Sequence, residues 1–147
     1  MKITLPNKSR LTTKDFTFGV ATASFQIEGG VEHRLPCIWD TFCQKDGAIA
    51  DKSNGDTACD HYHLWQQDIE MISSLGVDAY RLSISWGRVM NQDGSPNETG
   101  IAFYTNLLDT LIAKNIKPFV TLYHWDLPQY IEDNGGWLNR ETAYKFR

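Results

Sequence analysis

No run in this 147-residue sequence approaches the eighteen or so apolar residues that a membrane-spanning helix needs. The first residues, MKITLPNKSRLTTKDF, lack the apolar centre of a signal peptide. Cysteine is scarce: Cys37, Cys43 and Cys59 form an odd set with no CxxC pair, which excludes a disulfide framework and a cysteine zinc site. A reducing compartment, the cytoplasm, is the simpler expectation. Basic surplus is also missing. Fourteen Lys and Arg stand against eighteen Asp and Glu, a net charge of −4, so nothing is left to neutralise a nucleic acid. The basic residues are scattered rather than patched, which speaks against a membrane surface as partner. There is no internal repeat and no low-complexity tract, and no glycine-rich phosphate loop follows a strand. No cofactor is expected.

What the sequence does contain is an ordinary folded composition, 41% hydrophobic and 22% charged, of a size that reads as one domain, 1–147. Aromatic residues are plentiful, at 12% with five Trp, enough for a dense core or for a cleft that stacks on flat apolar faces. The segment FTFGVATASF, 16–25, reads as a strand rich in small residues, followed by a loop with Gly29-Gly30 and a turn at SNGD, 53–56. Thr57 and Asp60 fit a capping box for a helix whose apolar stripe is Leu64, Trp65, Ile69, Ile72 and Leu75, with Gly76 as its stop. VDAYRLSIS, 77–85, alternates as a strand. A second helix covers roughly 99–114 with Ile101, Tyr104, Leu107, Leu108, Leu111 and Ile112 on its buried face, and Asn115 suits a left-handed cap. A third strand occupies 117–123, and Asn139 caps the start of a further helix. Strand, helix, strand, helix, strand, helix is a run of βαβ units with parallel strands, an α/β fold.

Alternation puts Tyr80, Leu82 and Ile84 on one face of the second strand and Arg81, Ser83 and Ser85 on the other. Strands of parallel sheets are covered on both faces, so Arg81 is expected to be buried and to need an anion. Glu28 and Asp126 are candidates within the chain, and a carboxylate beyond residue 147 is the other. At the C-terminal strand ends, where α/β folds bind ligands, the first strand delivers Gln26 and the third delivers His124 and Trp125. An amide, an imidazole and an indole suit a sugar, with donors and acceptors for hydroxyls and an apolar face for the ring. Each also has a structural reading: a surface Gln, a satisfied core His, a core Trp. Asp56, Asp60, His61, His63 and His124 invite a metal, but His61 and His63 are two apart on a helix and face different sides, so no metal site is expected. Cys59, placed in the first helical turn, completes no triad.

The stretch FTFGVATASFQIEGG, 16–30, closely resembles the N-terminal signature of family 1 glycoside hydrolases, the β-glucosidase and 6-phospho-β-glycosidase group. The likeness continues through CIWDTF (37–42), GDTACDHYHLWQQDI (55–69), LGVDAYRLSISWGRV (75–89), FVTLYHWDLPQ (119–129) and GGWLNRETA (135–143). The resemblance implies a (β/α)8 TIM barrel, of which these residues supply the first three βα units, incomplete as a barrel. It implies hydrolysis of β-glycosides with retention, by two carboxylates about 5–5.5 Å apart. In the family these are glutamates in an Asn-Glu-Pro and a Glu-Asn-Gly motif, and neither motif occurs here, so no catalytic residue is assigned in 1–147. Gln26 and His124 match the residues that bind sugar hydroxyls, Trp125 lines the same pocket, and Arg81 matches the arginine beside the nucleophile. That match favours a downstream carboxylate as the partner of Arg81 and leaves Glu28 a structural role.

The expectation is therefore the N-terminal portion of a β-glucosidase, inactive alone, with a β-glucoside or related β-glycoside and the remaining barrel as its partners. A stand-alone carbohydrate-binding or interaction module is the alternative. Open strand edges imply self-association.

Overall fold

The computed structural model describes residue 6 and residues 8–147; the reading of the extreme N-terminus rests partly on residues outside these. Three strands, β1 (Gly19–Ala21), β2 (Ala79–Ser83) and β3 (Lys117–Thr121), lie in sequence order in one sheet, each pair parallel. The helices are α1 (Ser24–Ile27), α2 (Ile38–Cys43), α3 (His61–Ser74), α4 (Trp86–Val89), α5 (Glu98–Ala113), α6 (Gln129–Glu132) and α7 (Arg140–Lys145), with 3-10 turns at Arg10–Thr12, Val31–His33 and Gly136–Leu138. The βαβ order expected from the sequence is observed.

The register sets what each face does. Ala21, Arg81 and Phe119 are paired across the three strands, and Tyr80 is paired with Val20 and Pro118. The Tyr80 and Leu82 face packs against α3 and α5, burying Ile69, Ile72, Phe103, Tyr104, Leu107 and Leu111. Among the described residues the opposite face, carrying Ala21, Arg81 and Phe119, has no such cover. A Cβ at Gly19 would lie 2.9 Å from the carbonyl oxygen of Ala79, so only glycine permits β1 to pair this closely with β2. A second cluster, Trp86, Leu127 and Ile131, closes the C-terminal end of the strands.

Local details follow the sequence in part. Asn97 accepts the N–H of Gly100 and Asn139 accepts that of Glu141, both side-chain caps. Asn115 is left-handed, with φ 60°. Ile69 and Ile72 are buried as their spacing implies, whereas Leu64, Leu75, Ile101 and Ile112, all expected on buried faces, are exposed at the margins of their stripes.

Three local expectations are corrected. Thr57 and Asp60 form no capping box: α3 begins at His61, and Asp60 precedes it with φ 56° and no side-chain cap. The reason is that residues 59–62 are tied to the first strand's loop, with Cys59 N–H donating to Ile27 O and Tyr62 N–H to Glu28 O, which holds Ala58 and Asp60 left-handed. Cys59 is consequently outside the helix. The first strand is also shorter than expected, because the chain turns into α1 after Ala23.

Candidate functional site

Three elements meet at the C-terminal end of the sheet. Thr22 N–H still donates to Arg81 O, as a strand residue would, and then Ser24 N–H finds Ser83 Oγ in place of a backbone partner. This side-chain substitution ends β1 and starts α1, which carries Phe25 and Gln26 outward. From the other side, Ser24 Oγ donates to Asp126 Oδ2 at 2.8 Å. Asp126 is buried, and its second oxygen has no partner among the described residues. The Ser83–Ser24–Asp126 chain thus ties the segment after β3 to the end of β1.

Between His124 and Asp126 the backbone takes an unusual course. Trp125 has φ 73°, a left-handed conformation rare for a bulky side chain. Asp126 turns inward while Trp125 stands 68% exposed. Strain of this kind, about 1–3 kcal/mol, concentrates at ligand sites. Ala23, Phe25, Gln26, Trp39, His124 and Trp125 line a cavity of about 330 Å³. The structure therefore brings Gln26, His124 and Trp125 together, although they come from elements a hundred residues apart in the chain. Trp39, on α2, joins them and was not legible as a site residue: CIWDTF carries the family likeness, but nothing in its spacing aims the indole at a cavity.

Arg81 is placed otherwise than expected. It is exposed, not buried. Its Nε donates to Thr121 Oγ1 at 3.2 Å, and it forms no ion pair among the described residues. The physical reason is that the sheet face carrying Ala21, Arg81 and Phe119 is uncovered, so the guanidinium meets solvent rather than a packed layer. Phe119 beside it is 46% exposed.

The in-chain anions considered for Arg81 are otherwise engaged. Glu28 accepts Arg88 Nε at 2.9 Å and the Tyr104 hydroxyl at 2.6 Å. Arg88, which sequence reasoning did not single out, is fully buried, with Nη2 on the Gly29 carbonyl and its guanidinium 4.1 Å from the Tyr62 ring centre. Burial pushes the Glu28 carboxyl up, against the opposing pull of Arg88 and Tyr104. This glutamate is taken up by the ion pair and is not among the residues that line the cavity. Below the site, Arg34 clamps Asp40 with two hydrogen bonds, at 2.6 and 2.8 Å, and Asp40 also accepts the Cys37 N–H. Burial pushes Asp40 up, but the Arg34 and Cys37 bonds outweigh it and hold the carboxyl below its ordinary range. Cys37 itself is pushed up to about 12 by burial and by the Asp40 charge, so it is an inert thiol.

His61 and His63 part company, as their spacing implies. His61 is buried with Nδ1 on Asp68 at 2.6 Å, and His63 is exposed with Nδ1 on Asp60 at 2.6 Å. No helix among the described residues is long and apolar enough to cross a membrane.

Comparison with known proteins places this arrangement among relatives. The model of glycosyl hydrolase family 1 matches residues 8–147. The chain is 49% identical over 136 residues to a β-glucosidase of Agrobacterium, covering 90% of this chain and 30% of that protein. The crystal structure of a β-glucosidase from Exiguobacterium marinum matches with a TM-score of 0.88 at 52% identity, over 91% of this chain and 31% of that one. The Thermotoga maritima β-glucosidase solved in complex with deoxynojirimycin matches with a TM-score of 0.85 at 48% identity, over 90% and 31% of the two chains. The chain spans about 30% of the length of the relatives it matches.

Proposed function

This chain belongs to glycosyl hydrolase family 1 and holds the first three βα units of an incomplete (β/α)8 barrel; from that premise we propose that it is the N-terminal part of a single barrel domain in a retaining β-glucosidase, supplying one side of the sugar site. The observation that carries the reading is the convergence of Gln26, His124, Trp39 and Trp125 on one cavity at the C-terminal strand ends. The Gln26 amide and the His124 imidazole offer donors and acceptors to vicinal hydroxyls, and the indoles offer apolar faces to the C–H side of a pyranose ring. The name of the Thermotoga maritima β-glucosidase, solved in complex with deoxynojirimycin, supports a β-glycoside as the ligand.

Arg81 has a separate role. A guanidinium carries five N–H groups, and among the described residues only the Nε–H is engaged, by Thr121. The remaining donors are open to the face where the other strands of a barrel pack. A carboxylate from that part of the protein would be oriented and kept ionised by Arg81, as a nucleophile in a retaining mechanism must be. The two catalytic glutamates are then supplied beyond residue 147, and residues 1–147 alone bind half a sugar site without turning over.

The test is hydrolysis of an aryl β-glucoside. The full-length protein is expected to turn it over, and His124→Ala or Gln26→Ala to weaken transition-state binding by about 1–3 kcal/mol, roughly 5- to 150-fold in kcat/KM. The 147-residue chain alone is expected to show none. Turnover by the purified short chain, or a His124→Ala enzyme with unchanged kinetics, overturns the reading. Saturable glucose binding by the short chain that is lost in His124→Ala favours a binding module instead.

A further inference from the structure

One cluster lies apart from the cavity residues. The 3-10 turn Val31–His33 places Glu32 and His33 beside His63 at the start of α3. Glu32 Oε1 is 3.5 Å from His33 Nε2 and 3.8 Å from His63 Nε2, and the three ligand atoms all lie within 4.8 Å of one another. Two ligands bound at 2.0–2.1 Å to a tetrahedral ion sit about 3.3 Å apart. The two Glu32 spacings are within about 0.5 Å of that value, and the histidine pair, within 4.8 Å, draws in when an ion binds.

Both rings are held in place. His63 Nδ1 lies 2.6 Å from Asp60 Oδ1, and in the tautomer that donates this bond the proton sits on Nδ1. In the neutral ring this leaves the lone pair on Nε2, facing the Glu32 oxygen, which is also an acceptor. A cation between these two atoms, 3.8 Å apart, accepts an electron pair from both. A carboxylate on the far nitrogen is also the arrangement that orients metal-binding histidines. His33 stacks on Tyr62, with ring centres 5.0 Å apart at 30°. Gly30, left-handed with φ 57°, makes that stack possible, since a Cβ there would meet the Tyr62 ring at 2.7 Å.

We propose that Glu32, His33 and His63 form a surface site for a divalent transition-metal ion of the zinc class, with Asp60 positioning His63. Two imidazoles and one carboxylate suit zinc, nickel or copper and disfavour magnesium and calcium, which take oxygen donors. The three side chains are exposed, so water completes the coordination. The ion clamps the loop after α1 to the start of α3 and offsets the Glu32 and Asp60 charges. This site does not depend on the sugar reading, since none of its residues lines that cavity.

The experiment uses the full-length protein, stripped with chelator and titrated with ZnCl2 by calorimetry and with CoCl2 by visible absorption. One saturable site is expected, with cobalt bands of low coordination number and no response to magnesium or calcium. His33→Ala and His63→Ala are each expected to weaken zinc binding at least tenfold, and Asp60→Asn by about 10- to 100-fold. Cys59→Ser, a change at a neighbouring exposed thiol, is expected to leave it unaltered. Absence of saturable binding overturns the proposal. So does binding that survives the His33→Ala, His63→Ala double substitution, because the ion is then elsewhere.

Discussion

Arg88 and Glu28 form a buried ion pair sixty residues apart in the chain, Nε to Oε2 at 2.9 Å, with neither side chain more than marginally exposed. The pair links α4 to the end of α1, and Tyr104 adds α5 by donating its hydroxyl to the same carboxylate. A charge buried this deeply depends on its partner.

Removing one half is therefore costly. Arg88→Ala is expected to destabilise the protein by about 3–5 kcal/mol, because Glu28 is left buried without its counter-charge. Glu28→Gln is expected to cost less, since the amide still meets Tyr104 and Arg88 in part. Urea unfolding of the three proteins measures both, and an Arg88→Ala protein within 1 kcal/mol of the parent contradicts the account.

Arg81 is expected to behave in the opposite way. Exposed and held by one hydrogen bond, it contributes little to folding. Arg81→Ala is expected to leave the unfolding midpoint of the 147-residue chain nearly unchanged; in the full-length protein, where the proposed role sets it against a carboxylate, it is expected to lower kcat by about 10²-fold or more. Steady-state kinetics beside thermal unfolding separate the two effects.

The Arg34–Asp40 clamp makes stability depend on acid. Asp40 sits below its ordinary range in the folded protein, so its contribution is fully present above the unfolded value near 3.9 and is lost as pH falls through the folded one. Asp40→Asn is expected to cost about 1.5–3 kcal/mol at pH 7. The gap to the parent should narrow as the pH drops below about 4. A gap that stays constant or widens in acid rules the clamp out as the cause.

Thiol chemistry is expected to divide sharply. Cys37 is buried and raised to about 12, whereas Cys59 is exposed. A disulfide reagent at pH 8 should modify Cys59 within minutes and leave Cys37 untouched until denaturant is added; mass spectrometry of the peptides reads the result.

The 147-residue chain in isolation is expected to self-associate. Phe119, Val120, Leu122 and Trp125 are all exposed, Leu122 at 65%, and among the described residues β1 and β3 are open edges. Sedimentation showing a monomer across micromolar concentrations would count against this.

Much of this was legible in the chain. Periodicity carries α5 and the inward side of β2, because Tyr80 and Leu82 answer to a hydrophobic layer that lies nearby in sequence. The pairing of Gln26 with His124 was legible because both follow strands, and parallel strands bring their ends to one edge. The burial of Arg81 was misjudged because the rule for covered sheets assumes layers that these residues do not provide. Arg88 escaped notice because nothing in WGRV distinguishes a buried arginine from a surface one; its partner is sixty residues away. The start of α3 was misplaced for a similar reason. Hydrogen bonds from residues 59 and 62 to the 27–28 loop override a local capping signal.

The uncovered face of the sheet also bears on biosynthesis. At translation rates of about 5–20 residues per second, a protein some three times this long keeps its first strands waiting for roughly half a minute while the rest emerges. Throughout that interval β1, β2 and β3 can already be paired and backed by α3 and α5, yet Phe119 and its neighbours remain available to any hydrophobic surface in the crowd. Newly made chains of this kind need either a chaperone's shelter or a swift arrival of their later strands.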